Sequence, residues 1–141
     1  MRIISGVNKG RNLVDLGKGD PLAHLRPTSD RVRESIFNLI IGGRFGNKLE
    51  NCYILDMFAG TGALGLEALS RGARSVLFVD NGQRAIQLLR KNISICGMEN
   101  KATIVKTDAT KKLPIPQKNS FDLVFIDPPY GKGLGLKALK I

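Results

Sequence analysis

What the sequence holds little of narrows its reading first. It carries two cysteines and one histidine in 141 residues. Cys52 and Cys96 lie far apart with no Cys-x-x-Cys spacing. Neither a metal site nor a disulfide framework is expected, and both read as buried free thiols. His24 sits in a loop with no second ligand or nucleophile near it in sequence, and reads as an exposed loop residue. No apolar run approaches the roughly 20 residues needed to cross a bilayer. The start, Met1-Arg-Ile-Ile-Ser-Gly6, lacks the apolar core and small-residue cleavage site of a signal peptide. A cytoplasmic protein is expected.

Acidic residues are scarce as well. Twelve Asp and Glu stand against 22 Lys and Arg, a formal charge of +10. Such an excess is the electrostatic footprint of a protein that meets a polyanion. No basic amphipathic helix with an aromatic-rich apolar face stands out, so nucleic acid is the expected partner and a membrane is not. A basic protein without such a partner is the alternative. The length allows one domain with a real core. Apolar residues at 43% and charged residues at 24% are those of an ordinary globular chain.

Residues 1–14 read as a hairpin, two short strand-like runs around Gly6-Val7-Asn8-Lys9-Gly10. Lys9 and Arg11 project from it as candidate phosphate contacts. Residues 15–27, with Gly17, Gly19, Pro21 and Pro27, read as a loop. Thr28-Ser29-Asp30 offers N-caps for a helix over about 30–41, with Val32, Ile36, Leu39 and Ile40 as its apolar stripe. Its charged residues, Arg31, Arg33 and Glu34 among them, face solvent or a polyanion. A division follows into an N-terminal extension of hairpin and helix that binds nucleic acid, 1–50, and a cofactor-binding core, 51–141.

From Tyr53 strands and helices alternate. The expected strands are Tyr53–Asp56, Ser75–Asp80, Ala102–Asp108 and Phe121–Ile126; the helices are Gly62–Arg71, closed by Gly72, and Gln83–Cys96, closed by Gly97. Such alternation predicts right-handed βαβ units and a parallel sheet. Each strand ends in an aspartate: Asp56, Asp80, Asp108 and Asp127. Four in register would line one edge of the sheet with carboxylates.

Between the first strand and its helix, Gly60, Gly62 and Gly65 match G-x-G-x-x-G in the required strand-to-helix context. Asp80, with Asn81 after it, lies 20 residues past Gly60, where a ribose diol is held in dinucleotide sites. The literal fingerprint is that of a dinucleotide, and a nucleotide-linked oxidoreductase stays open on it. Asp56, however, would oppose a pyrophosphate and favour a sulfonium or ammonium group. Asp108-Ala109 suits an adenine edge. The cofactor expected is S-adenosylmethionine, with Asp56, Phe58, Ala59, Gly60, Gly62, Gly65, Asp80, Asn81, Asp108, Ala109 and Asp127 around it.

The last expected strand stops at Asp127-Pro128-Pro129-Tyr130. Two prolines cannot continue a ladder, so a carboxylate, a stiff turn and a ring stand at the strand's carboxyl end. Asp127 and the Pro128 carbonyl are acceptors for the two N–H groups of an exocyclic amine, and Tyr130 offers a face for a planar ring. A plain Pro-Pro turn with a surface tyrosine is the bland alternative.

At these residues the chain resembles the RsmD family of bacterial 16S rRNA guanine-N2 methyltransferases, within the class I S-adenosylmethionine-dependent fold. Arg26-Pro27-Thr28, Arg31-Val-Arg-Glu34 and Phe37-Asn38 are similar to its N-terminal signature. Asp56-Met-Phe-Ala-Gly-Thr-Gly-Ala-Leu-Gly65 and Glu67-Ala-Leu-Ser-Arg-Gly-Ala73 are similar to its cofactor loop and helix. Asp127-Pro-Pro-Tyr130 is similar to the amino-methyltransferase signature shared with adenine-N6 and glutamine-N5 enzymes. The resemblance implies a Rossmann-like sheet of order 3-2-1-4 with the distal strands missing, preceded by the hairpin and helix. It implies that Asp127, Pro128, Pro129 and Tyr130 carry catalysis, and that Lys9, Arg11, Arg26, Arg31 and Arg33 grip 16S rRNA, free or in the small subunit. A cofactor- or RNA-binding module without turnover, or an enzyme acting on adenine N6 of DNA, are the alternatives. Asp80 stands where the family often has Glu, and both accept from a diol. The family pattern continues past Ile141. The edge Phe121–Ile126 is therefore expected to be covered by a second copy or by a rearranged tail.

Overall fold

The computed structural model describes residues 1–15, 28–42, 49–111 and 121–128. Four parallel strands form one sheet in the order β3-β2-β1-β4, with β1 Tyr53–Met57, β2 Ser75–Asp80, β3 Ala102–Lys106 and β4 Leu123–Ile126. Among the described residues, three α-helices accompany it: α1 Asp30–Gly42, α2 Ala63–Ser70 and α3 Gln83–Cys96. The expected order 3-2-1-4 and the α/β class are those observed. The strand run β1-β2-β3 steps one way, and β4 returns to the other side of β1. That reversal between β1 and β4 is a topological switch point, the place where open α/β sheets bind ligands at their carboxyl ends.

One face of the sheet carries the main core. Ile54, Val76, Phe78 and Phe125 pack there with Leu66 and Leu69 of α2, Leu89 and Ile93 of α3, and Phe37 of α1. The other face carries a smaller cluster of Leu55, Met57, Val79 and Ala109. Ile3, Leu13, Phe37 and Leu49 belong to the main cluster, so the segment before residue 51 shares its core with the sheet.

The helix ends obey the sequence signals. Gly97 takes a left-handed φ of 63° and Gly72 one of 113°. Their amides and those of Met98 and Ala73 close the last turns of α3 and α2, which a residue with a Cβ would do only under strain. Ser29 caps α1, its Oγ accepting from the Val32 amide at 3.2 Å. A short 3-10 turn, Glu99–Lys101, enters β3. Cys96 is buried and Cys52 half-buried, and neither is in a disulfide; burial pushes the Cys96 thiol up.

Three expectations need correction. First, residues 1–14 pair antiparallel as the expected hairpin, but through the single Arg2–Asn12 bridge, with the Ile3, Gly10 and Leu13 amides bonded across it, and not as two full strands. It docks on α2: Val7 donates to the Ser70 carbonyl, and the Ile4 and Ser5 amides donate to the Glu67 carboxylate. A Cβ on Gly6 would lie 1.9 Å from the Ser70 carbonyl oxygen, so only glycine permits this approach. Second, the stripe of α1 is Arg33, Ile36, Phe37, Ile40 and Ile41, whereas Val32 is 51% and Leu39 76% exposed. A polar residue starts the buried face, which hid the true period. Third, β3 ends at Lys106 and β4 begins at Leu123, each two residues shorter than expected. β4 has its neighbour on the β1 side, and Val124 is 43% exposed. Among the described residues, no helix is long and apolar enough to cross a membrane.

Candidate functional site

The carboxylates descend as a staircase. Asp56 is the last-but-one residue of β1, paired across the sheet with Phe78 and Phe125. Met57 pairs with Val79 and Ile126, so Asp80 and Asp127 stand one row beyond it and two beyond Asp56. Asp108 follows β3 by two residues. They share the carboxyl edge without being in register, because Asp56 sits beneath the loop that follows its strand.

There Asp56 is 1% exposed, and its Oδ2 accepts from the Gly65 amide at 3.1 Å. Burial pushes its carboxyl up to about 8; the Gly65 amide opposes the shift, and the charges of Asp127 and Asp80 add to it. The carboxyl therefore rests protonated at neutral pH. A cation placed against it would favour its ionised form.

The glycine loop is held from inside. The Ala59 amide donates to the Val79 carbonyl, Gly62 to Ala59, Gly60 to Oδ2 of Asp80 and Gly65 to Asp56. Those four amides are turned to protein acceptors, so they do not form an anion cradle of the kind helix N-termini offer. Gly62 and Gly65 are buried. A Cβ on Gly62 would lie 2.4 Å from Leu89 Cδ1, and one on Gly65 2.3 Å from Phe78 Cε1. Both shape the loop rather than line it. Phe58, Ala59 and Gly60 are the partly exposed part, with Phe58 at a φ of 56°. Such a conformation costs a non-glycine residue roughly 1–3 kcal/mol.

Asp80 binds two amides, Gly60 to Oδ2 and Gly82 to Oδ1, both at 2.8 Å. A carboxylate has about four acceptor positions, so room remains for a diol. Asn81 is exposed beside it. Oδ1 of Asp108 accepts from the amide and hydroxyl of Thr110 at 2.8 and 2.6 Å, and Ala109 is 3% exposed. Their backbone, more than the Ala109 side chain, is what an adenine edge would meet.

Asp127 follows β4, exposed, with Pro128 half-buried after it. Pro129 and Tyr130 lie outside the described residues, as do Arg26 and His24. The Thr28 hydroxyl donates to Oδ2 of Asp127 at 2.5 Å across 99 residues of chain.

Of the arginines expected at phosphates, Arg33 is not available. It is 0% exposed, its Nε 3.6 Å from Glu67 and its Nη2 3.0 Å from Asp30. It also donates to the Arg2 carbonyl. Glu67, itself 0% exposed, takes Arg71 Nε at 2.8 Å as well. Arg33 is a structural cation, drawn inside by a buried carboxylate. Lys9, Arg11 and Arg31 are exposed. Arg11 donates to the Ile95 carbonyl at the end of α3 at 2.9 Å, which joins the hairpin to that helix.

Sequence reading missed three groups. Asn92 is fully buried, holding the Thr61 carbonyl of the glycine loop and the Val14 backbone at 2.7–2.9 Å; its signal was an amide beside the apolar stripe of α3. Thr28 stood in the sequence as a possible cap and as part of the N-terminal signature, without a role at the site. The exposed Arg84, Arg90 and Lys91 lie on α3, which contains no acidic residue, a pattern visible in the sequence.

Comparison with known proteins bears on all of this. The profile of the family described as conserved hypothetical protein 95 matches residues 1–140. The ribosomal RNA small subunit methyltransferase D of Haemophilus influenzae is 36% identical over 144 residues, covering 100% of this chain and 69% of that protein. A Bacillus subtilis protein named as a candidate rRNA methyltransferase is 42% identical, covering 99% of this chain and 71% of the relative. A solved Escherichia coli structure, a candidate methyltransferase, superposes with a TM-score of 0.78 at 34% identity, over 99% of this chain and 70% of that one.

Proposed function

This chain belongs to the conserved hypothetical protein 95 family, the RsmD family, and from that we propose that it methylates the exocyclic N2 of a guanine in 16S rRNA with S-adenosylmethionine. One observation carries the reading. An exposed carboxylate, Asp127, stands at the switch point between β4 and β1, beside a glycine loop with the amides of Ala59, Gly60, Gly62 and Gly65 engaged and a buried carboxyl, Asp56.

The donor set fits this cofactor better than a dinucleotide. A pyrophosphate would meet the carboxyls of Asp56, Asp80 and Asp127 and find the amides of Ala59, Gly60, Gly62 and Gly65 already bonded. A group bearing an ammonium and a sulfonium would instead be stabilised by those carboxyls. Phe58, Ala59 and Gly60 would face it, Asp80 with Asn81 would take the ribose diol, and the Asp108-Ala109 backbone the adenine edge. The cofactor supplies an electrophilic methyl group.

The protein's part is alignment. The lone pair of an exocyclic amine is delocalised into its ring, which makes it a poor nucleophile. Asp127 and the Pro128 carbonyl each accept one N–H, which orients the nitrogen and favours the pyramidal form that attacks. Tyr130 follows in the chain as a ring on which the base stacks. Aligning reactants in this way contributes a large part of such rate accelerations. Because the amine must leave its stack to reach the edge, the base is extruded. Lys9, Arg11, Arg26 and Arg31 hold phosphates, joined by Arg84, Arg90 and Lys91 on α3. Small-subunit RNA is favoured because the relative named above is named for it.

The test is nucleoside analysis of 16S rRNA after incubation with protein and labelled cofactor. N2-methylguanosine at one site is expected. Methyladenine in DNA, or cofactor binding without transfer to RNA, would replace this reading by another.

A further inference from the structure

Among the described residues, the N-terminal segment meets Asp127 through the Thr28 hydroxyl, 2.5 Å from Oδ2. We propose that Thr28 is a positioning residue: it holds Oδ2 of Asp127 so that Oδ1 is presented to the target amine. This rests on the reading of Asp127 as the amine's acceptor. The distance is that of a hydrogen bond from a hydroxyl to an ionised carboxylate, among the stronger kinds.

The hydroxyl has no competing duty in the helix. Capping of α1 belongs to Ser29, whose Oγ accepts from the Val32 amide. Donor and acceptor also stand on elements locked together. Phe37 of α1 meets Phe125 of β4 edge-on, ring centroids 5.7 Å apart at 64°. Phe125 lies two residues before Asp127. One turn before Phe37, Arg33 is anchored on Glu67 inside the core. The helix that follows Thr28 is thus fixed against the strand that ends at Asp127. An exposed aspartate would otherwise turn about two side-chain torsions, and restricting it in advance spares that ordering in the transition state.

The experiment compares Thr28→Val, Thr28→Ser, Ser29→Ala and Asp127→Ala in the full chain, with 16S rRNA as substrate. Cofactor affinity is measured by calorimetry alongside. Thr28→Val keeps the shape without the hydroxyl, and kcat is expected to fall about 10- to 100-fold with cofactor affinity unchanged. Thr28→Ser should restore most of the rate. Ser29→Ala should lower thermal stability and leave kcat near that of the unaltered protein. A Thr28→Val enzyme with unaltered kcat, or one whose loss Thr28→Ser shares, overturns the proposal while the Asp127 reading stands. An active Asp127→Ala enzyme overturns the reading beneath it.

Discussion

The Gly65 amide donates to Oδ2 of Asp56 at 3.1 Å, so the first turn of α2 is closed by the carboxyl of the strand that precedes it. The fingerprint glycines therefore serve the fold before they serve a ligand. Gly65→Ala would place a Cβ 2.3 Å from Phe78 Cε1 and 3.0 Å from Asp56 Oδ2. Overpacking of this kind costs about 1–3 kcal/mol. Urea denaturation should show that loss together with weakened cofactor binding; unaltered stability would contradict the packing described.

Asp56 gives the protein a pH signature. Its carboxyl is raised from 3.8 to about 8, first by burial. Between those values the folded state keeps a proton that the unfolded state releases, so this group's contribution to stability falls as pH rises through the window. Asp56→Asn removes that slope, and its stability relative to the unaltered protein should increase from pH 5 to pH 8. Denaturation midpoints at several pH values check this. Parallel profiles for the two proteins would contradict it.

The buried cluster around Glu67 should be the most sensitive point outside the site. Its carboxylate takes the Ile4 and Ser5 amides at 2.8 and 3.1 Å and the Arg33 and Arg71 guanidinium groups at 3.6 and 2.8 Å. Glu67→Ala takes from Arg33 its buried carboxylate partner and leaves it the partly exposed Asp30, a loss of about 3–5 kcal/mol. Calorimetric unfolding of that variant, beside Glu67→Ala/Arg33→Met, should show partial recovery in the double variant. Additive losses would mean the two residues act separately.

Salt dependence sorts the basic residues. Charge-neutralising variants of Arg84, Arg90 and Lys91 should each lower the slope of log Kd against log salt by about 0.7–0.9 if they meet a phosphate. Arg33, fully buried, contributes nothing to that slope. RNA titrations from low to moderate salt supply the measurement, and an unchanged slope would remove α3 from the interface.

Much of this was legible in the sequence. Gly72 and Gly97 marked helix ends because a left-handed residue is needed there, and the alternation after Tyr53 implied a parallel sheet, whose order 3-2-1-4 came from the family resemblance. Asp56, Asp80 and Asp127 were legible as strand ends. Their depths were not, because depth depends on strand pairing: Asp56 stands opposite Phe78 two rows below its neighbours. Arg33 was read as exposed because periodicity counts a cation as polar, and only Glu67, 34 residues on, explains its burial. Thr28 and Asp127 are 99 residues apart, a contact that no local pattern carries.

The central claim is that Asp127 orients the target amine, while the glycine loop, Asp56 and Asp80 carry most of the hold on the cofactor. One paired measurement on Asp127→Ala tests it most directly: single-turnover methyl transfer to 16S rRNA and calorimetric affinity for S-adenosylmethionine. Transfer should be lost while affinity stays within a few-fold of the unaltered protein. Transfer at the unaltered rate would contradict the account.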